Sequence, residues 1–134
     1  MSDKAPLQQI LEGQSNGVTI AADDSFIIGE VKEAGVVTGA SFTPEAASTG
    51  DNTNFRTFTV VNKGQSGSGT AVVGTIALLT GNNLVAFDEK AFVLSVTPAD
   101  LVVAAGDILA LASIHTASGL VDPGGKVKVE ISRS

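Results

Sequence analysis

The 134-residue chain has no cysteine, no tryptophan and no tyrosine, and only one methionine and one histidine. Without cysteine there are no disulfides and no thiolate metal sites, and the redox compartment stays open because many intracellular proteins need none. The aromatics are six phenylalanines alone. The amphipathic rings that stack on sugars and bases are therefore missing, which argues against carbohydrate and single-strand nucleic-acid binding. Charge is sparse as well: 16% of residues are charged, the net charge is -6, and the eight Lys and Arg are scattered with no basic stripe. A phosphate backbone needs clustered cations, so no nucleic-acid partner is expected. Long apolar runs are also missing. The most apolar stretch, Leu101 to Ile114, is broken by Gly106 and Asp107 and is shorter than the ~20 residues of a membrane span, so no membrane partner is expected. Residues 1–17 are polar, include Asp3 and Lys4, and lack the apolar stretch of a signal peptide, which points to synthesis in the cytoplasm.

What is present is small and β-branched. Apolar residues make up 43% of the chain, mostly Val, Ala, Ile and Leu, a composition that suits thin packed sheets. A chain of this length folds as one domain and buries roughly 68% of the surface its unfolded form exposes. From Val18 onward short apolar runs alternate with Gly, Asn, Asp and Pro, and strands are predicted over 18–22, 25–33, 35–43, 55–63, 70–79, 84–87, 91–97, 107–115 and 126–132. Lys126 to Ile131 trades polar for apolar at every step, the mark of a strand with one wet face. Ala71 to Leu79 is nearly continuous apolar, as expected of a strand covered on both faces, one by the core and the other by a subunit neighbour. Gly64, Gly67 and Gly69, then Gly81-Asn82-Asn83, then Asp122-Pro123-Gly124-Gly125 supply turn chemistry between the strands. The expected fold is all-β: a jelly-roll-like sandwich of about eight antiparallel strands. The acidic, polar stretch Pro44 to Asn54 is expected to be a surface interaction loop.

Residues 1–16 read differently. Pro6 is suited to opening a short helix and Gly13 to ending it, and Leu7, Ile10 and Leu11 fall at helical spacing. So short a helix is marginal alone and needs a surface to dock on. The expected organisation is an N-terminal docking arm, 1–16, whose partner-binding side chains are Leu7, Ile10 and Leu11, followed by a sandwich domain, 17–134.

No constellation carries catalysis. A lone His115 cannot supply the several histidines and carboxylate of a jelly-roll metal site, and it is expected to be a polar residue at a strand end or an interface. Gly67-Ser68-Gly69 lacks the strand-turn-helix setting of a nucleophile elbow. Asp23-Asp24 and Asp88-Glu89 are sequence neighbours that a strand would point to opposite faces. Asp51-Asn52-Thr53-Asn54 resembles the opening of a calcium loop but lacks its later glycine and distal glutamate, so an Asx turn is the reading. The turn Gly64 to Gly69 has neither the Lys-Ser/Thr pair nor the helix of a phosphate cradle. In Ala105-Gly106-Asp107 the aspartate is expected to cap backbone amides of its own turn. No catalytic residue, cofactor-binding residue or metal ligand is therefore assigned, and an enzyme is not expected.

Phe55 to Gly69, Phe87-Asp88-Glu89-Lys90, Ala105-Gly106-Asp107 and Asp122-Pro123-Gly124-Gly125 with the Val-rich strand after it together resemble the capsid decoration (cement) or head-fibre proteins of tailed bacteriophages. The resemblance spans residues 25–132 and rests on turn and strand patterns. It implies a virion protein on the outer capsid surface that clamps neighbouring major capsid subunits, with no catalytic residues and no cofactor. It also implies self-association as trimers or dimers. Because Ala71 to Leu79 and Leu101 to Val103 present more apolar surface than one small sandwich should need, a homotrimer is expected ahead of a dimer. The alternative is a phage receptor-binding or fibre-head module, which should present an aromatic-rich or metal-bearing tip; the sequence shows neither.

Overall fold

The alternating residues of the C-terminal segment set the pattern for the whole molecule: Val127, Val129 and Ile131 are fully buried, while Lys126 between the turn and the first of them faces water. The computed structural model describes residues 8–133. Ten strands follow in order: β1 (Gln8–Ser15), β2 (Asp24–Glu30), β3 (Gly35–Pro44), β4 (Phe55–Asn62), β5 (Ala71–Ala77), β6 (Lys90–Ala91), β7 (Val93–Leu94), β8 (Val102–Val103), β9 (Ile108–Thr116) and β10 (Gly125–Arg133). A 3-10 turn, Pro98–Leu101, separates β7 from β8. Among the described residues no helix is long and apolar enough to cross a membrane.

The strands form two five-stranded sheets, one ordered β1-β10-β3-β6 with β8 also on β3, the other β2-β9-β4-β5-β7. The pairings are nested: β1 with β10, β2 with β9, β3 with β6 and β8, β4 with β5, all antiparallel. One long hairpin rolled into two facing sheets is a jelly roll. Between the sheets the rings of Phe42, on β3, and Phe58, on β4, lie 4.9 Å apart at a 35° tilt, and both are fully buried. Leu109, Leu111, Val60, Val73 and Leu84 complete the centre of the core.

Six of the predicted strands appear within a residue or three of their expected ends. The other three differ. Residues 18–22 make only an isolated bridge, Val18 to Asp122, because the carbonyls of Thr19, Ile20 and Ala22 turn inward to the Arg56 guanidinium instead of joining a ladder. Residues 84–87 likewise reduce to one bridge, Leu84 to Ser48. The predicted strand 91–97 divides, Ala91 ending β6 on one sheet and Val93–Leu94 forming β7 on the other.

The largest correction concerns the N-terminus. Residues 8–15 are not a helical arm but β1, paired residue for residue with β10 from Gln8↔Ser132 to Ser15↔Gly125. They belong to the sandwich, so the expected boundary after residue 16 is not a structural one. An isolated helix of this length is marginal, whereas β10 offers a complete ladder of backbone partners, and that tertiary pairing overrides the helical spacing. A strand places neighbours on opposite faces. Leu11 accordingly points into the core at 8% exposure while Ile10 is half exposed on the outside; Leu7 lies outside the described residues. Gly13 lets this edge close, because a Cβ there would sit 3.0 Å from Ile28 Cα and 3.0 Å from the Phe26 ring on β2.

Candidate functional site

The two outer faces of the sandwich have opposite chemistry. On the β1-β10-β3-β6 sheet, Lys126 Nζ lies 3.5 Å from Glu12, and Lys128 Nζ lies 3.4 Å from Glu89 and 3.6 Å from Glu130. The Ser41 hydroxyl donates to Glu89 at 2.6 Å, and this bond, with Lys128, holds the Glu89 carboxyl below its usual range; Glu89 in turn raises Lys128. This face is charged and wet.

The outer face of the other sheet is built from the residues that alternate with buried Arg56, Phe58, Val60, Leu109, Leu111 and Ser113. Strand register lines them up in rows. Ile27, Ala110, Val61 and Val72 form one; Ser25, Ala112, Thr59, Thr75 and Val93 the next; Ile114, Thr57 and Ala77 the third. None of these residues is charged. Ile27 is 66% exposed and Val93 74%. Charge returns only at the rim, where Glu30 pairs with Ile108 in register and Lys63 donates its amide to the Ile108 carbonyl.

One end of the sandwich is organised by Arg56, a fully buried arginine on β4. Its guanidinium donates to the carbonyls of Leu120 (2.7 Å), Thr19 (3.1 Å), Ile20 (3.2 Å) and Ala22 (2.7 Å) and to the Ser113 hydroxyl (3.0 Å). The Ser113 hydroxyl in turn donates to Asp122 at 2.7 Å, and Asp122 accepts the Gly124 amide at 2.9 Å. Burial pulls the Arg56 guanidinium down from its ordinary value, and Asp122 and Asp23 oppose the pull. The network pins the loops 16–23 and 117–124 to the sheet. Among the described residues no buried side-chain nitrogen or oxygen is left without a partner.

His115, near the end of β9, has its ring Nδ1 2.6 Å from Asp23, and its backbone amide donates to the same oxygen at 2.8 Å. That amide first, and then the ring, hold the Asp23 carboxyl below its ordinary 3.8. Because the folded value lies under the unfolded one, the contact stabilises the fold above the unfolded pKa and is lost as pH falls through the lower folded pKa. An NMR titration of Asp23 is expected to give a midpoint below 3.8, and His115→Phe should move it only part of the way back, since the backbone amide remains. A midpoint at or above the ordinary value would remove the contact from solution.

Two turns behave as the sequence reading expected. Asp51 accepts the amides of Thr53 (2.7 Å) and Asn54 (2.8 Å), an Asx turn whose amides lower its pKa. Asp107 accepts the Ala104 amide at 2.9 Å and the Asn62 side chain at 3.0 Å. Burial opposes ionisation of Asp107, yet these donors hold its pKa low. Among the described residues no three metal-ligating side chains come together.

The end that Arg56 organises also carries the loop 44–54, which lies at the surface, is tied to the 117–124 loop by Glu45 N–H to the Gly124 carbonyl and Ser118 N–H to Asn54 Oδ1, and is laced to residues 78–88. Asp51 N–H donates to the Leu78 carbonyl, Thr80 N–H to Asn52, and Leu84 and Ser48 exchange both backbone bonds. At the crest of this end stands Phe87. It is 79% exposed and has φ 62°, a left-handed conformation that bulky residues avoid. Its amide is held by the Pro44 carbonyl at 2.8 Å, and the turn is closed by Asp88 N–H to Val85 O at 3.0 Å, with Val85 itself 56% exposed. No family model, curated protein or solved structure matches the chain.

The structure therefore separates the predicted arm residues: Leu11 in the core, Ile10 on the charged face, Leu7 outside the described residues. Sequence reading missed Phe87, which it placed in a strand. The available signal was Asp88-Glu89 directly after it, a polar pair that starts a turn more readily than it continues a strand.

Proposed function

We propose that the chain is a non-catalytic structural protein of a phage virion, bound to the outer capsid surface, where it clamps neighbouring major capsid subunits. The observation that carries this reading is Phe87. A bulky apolar side chain is held out in water, in a backbone conformation that costs on the order of 1 kcal/mol or more, by surroundings that fix it on both sides. Strain of that kind persists where a group must be presented already ordered, and a preformed aromatic anchor binds without a further ordering cost. Among the described residues the rest of the sandwich is a scaffold whose buried side-chain nitrogens and oxygens are all paired. The capsid as partner follows from the resemblance of residues 25–132 to decoration proteins. Repetition of one modest contact over a symmetric shell gives retention by avidity.

Cryo-electron microscopy of particles that carry the chain tests the reading: density for the sandwich over capsid subunit junctions supports it, and absence from the shell removes it. Asparagine tolerates the left-handed conformation, so Phe87→Asn keeps the turn. The variant should melt within about 1 kcal/mol of the parent while capsid retention falls at least about tenfold, or roughly 1.4 kcal/mol. The same exposed aromatic at a loop tip favours the receptor-binding alternative, for which the variant would lose attachment to host cells and keep its place on the particle.

A further inference from the structure

The outer face of the β2-β9-β4-β5-β7 sheet has no charged residue in its three central rows, although both its rim and the opposite face are charged. We propose that this face is covered by the same face of a second copy of the chain, forming a two-fold homodimer. The inference does not depend on the capsid reading.

Charge selects the occupant. Each chain carries a net charge of -6, and a basic or acidic partner would be recognised by opposite charge, which this face does not offer. Two copies of an acidic chain repel least where neither presents charge. Face-to-face packing keeps Glu12, Glu89 and Glu130 on the far sides of the pair, separated by more than the screening length of about 8 Å. Depletion of charge at the centre with Glu30 and Lys63 at the rim is the anatomy of a specific interface.

Extent agrees with this occupant. Strands about 4.8 Å apart and residues about 3.4 Å apart make the uncharged patch roughly 20 Å by 20 Å, so a facing pair buries on the order of 1,000 Å², near the lower limit for a specific association. Shape agrees too. Open sheets pack against each other about 10 Å apart with strands near 30°, and Ile27, Val61, Val72 and Ile114 supply interdigitating β-branched side chains. One neighbour covers a whole sheet face, whereas a three-fold ring needs two different patches on each subunit. The face therefore favours a dimer over the trimer expected from the apolar runs in the sequence.

Sedimentation equilibrium of the full chain at micromolar concentration should give a dimer that does not weaken as salt is raised. Ile27→Glu, at a site 66% exposed, should weaken association at least about tenfold with an unchanged circular dichroism spectrum, and Ile10→Glu on the opposite face should not. The chain has no cysteine, so a single Thr59→Cys variant reports contact directly: a short bis-maleimide should link it into a covalent dimer, while Lys128→Cys should stay monomeric. A monomeric parent, a dimer insensitive to Ile27→Glu, a covalent dimer through Lys128→Cys, or a trimer would each overturn the proposal. Loss of capsid retention without loss of the dimer would instead concern Phe87 alone.

Discussion

Arg56→Leu is expected to lower the melting temperature by about 10 to 20 °C, through a loss of about 3 to 5 kcal/mol. Leucine fills much of the space but donates nothing. The carbonyls of Thr19, Ile20, Ala22 and Leu120 lose a donor together, and the Ser113 hydroxyl and Asp122 are left buried without the positive charge they face. Each buried group stranded in this way costs about 1 to 3 kcal/mol, less where the loops open to admit water. Arg56→Lys should recover little, because an ammonium cannot span the separate carbonyls that the planar guanidinium reaches. Chemical and thermal unfolding of the two variants check this. A change under about 1 kcal/mol would mean that the loops 16–23 and 117–124 are held by other contacts.

Deleting residues 1–16 is expected to abolish cooperative folding, which reverses the behaviour of a detachable arm. The deletion strips β10 of a partner along its whole length and removes Leu11 from the core. A long strand edge with buried-type residues beside it is then open to other chains, so aggregation should accompany the loss. Point substitutions separate packing from pairing. Leu11→Ala should cost about 2 to 3 kcal/mol, the lower part of the range for such truncations, given its edge position. Ile10→Ala should cost less than about 1 kcal/mol, as expected for a half-exposed strand residue. Urea melts of the two variants decide the matter: equal costs would mean that Ile10 and Leu11 share a face, as they would on a helix.

The strands that could be read from the sequence are those whose period survives in short windows. β4, β9 and β10 alternate cleanly because one face meets the core and the other does not. The jelly roll followed from their number and spacing. β1 was not legible because Gln8 to Ser15 has no decisive period, and its partner lies at the other end of the chain. Residues 18–22 looked like a strand because Val18 and Ile20 are β-branched, and nothing local reveals that an arginine on β4 will take their neighbours' carbonyls. The uncharged face was half visible in the apolar run Ala71 to Leu79. Its extent appears only when the strand register aligns Ile27, Ala110, Val61 and Val72. Phe87 was hidden for a related reason, since a left-handed residue is set by the bonds around it and not by its identity.

The nesting of β1 with β10 also governs the order of events during synthesis. β1 leaves the ribosome long before its partner β10, Gln8 beside Ser132, so one edge of the sandwich stays open until β10 has emerged. Contacts this distant in sequence close slowly, on the scale of milliseconds to seconds. Through that interval Leu11 has no core to enter and the nascent chain exposes an unpaired strand. A truncation late in the chain therefore leaves the beginning unfolded as surely as the end.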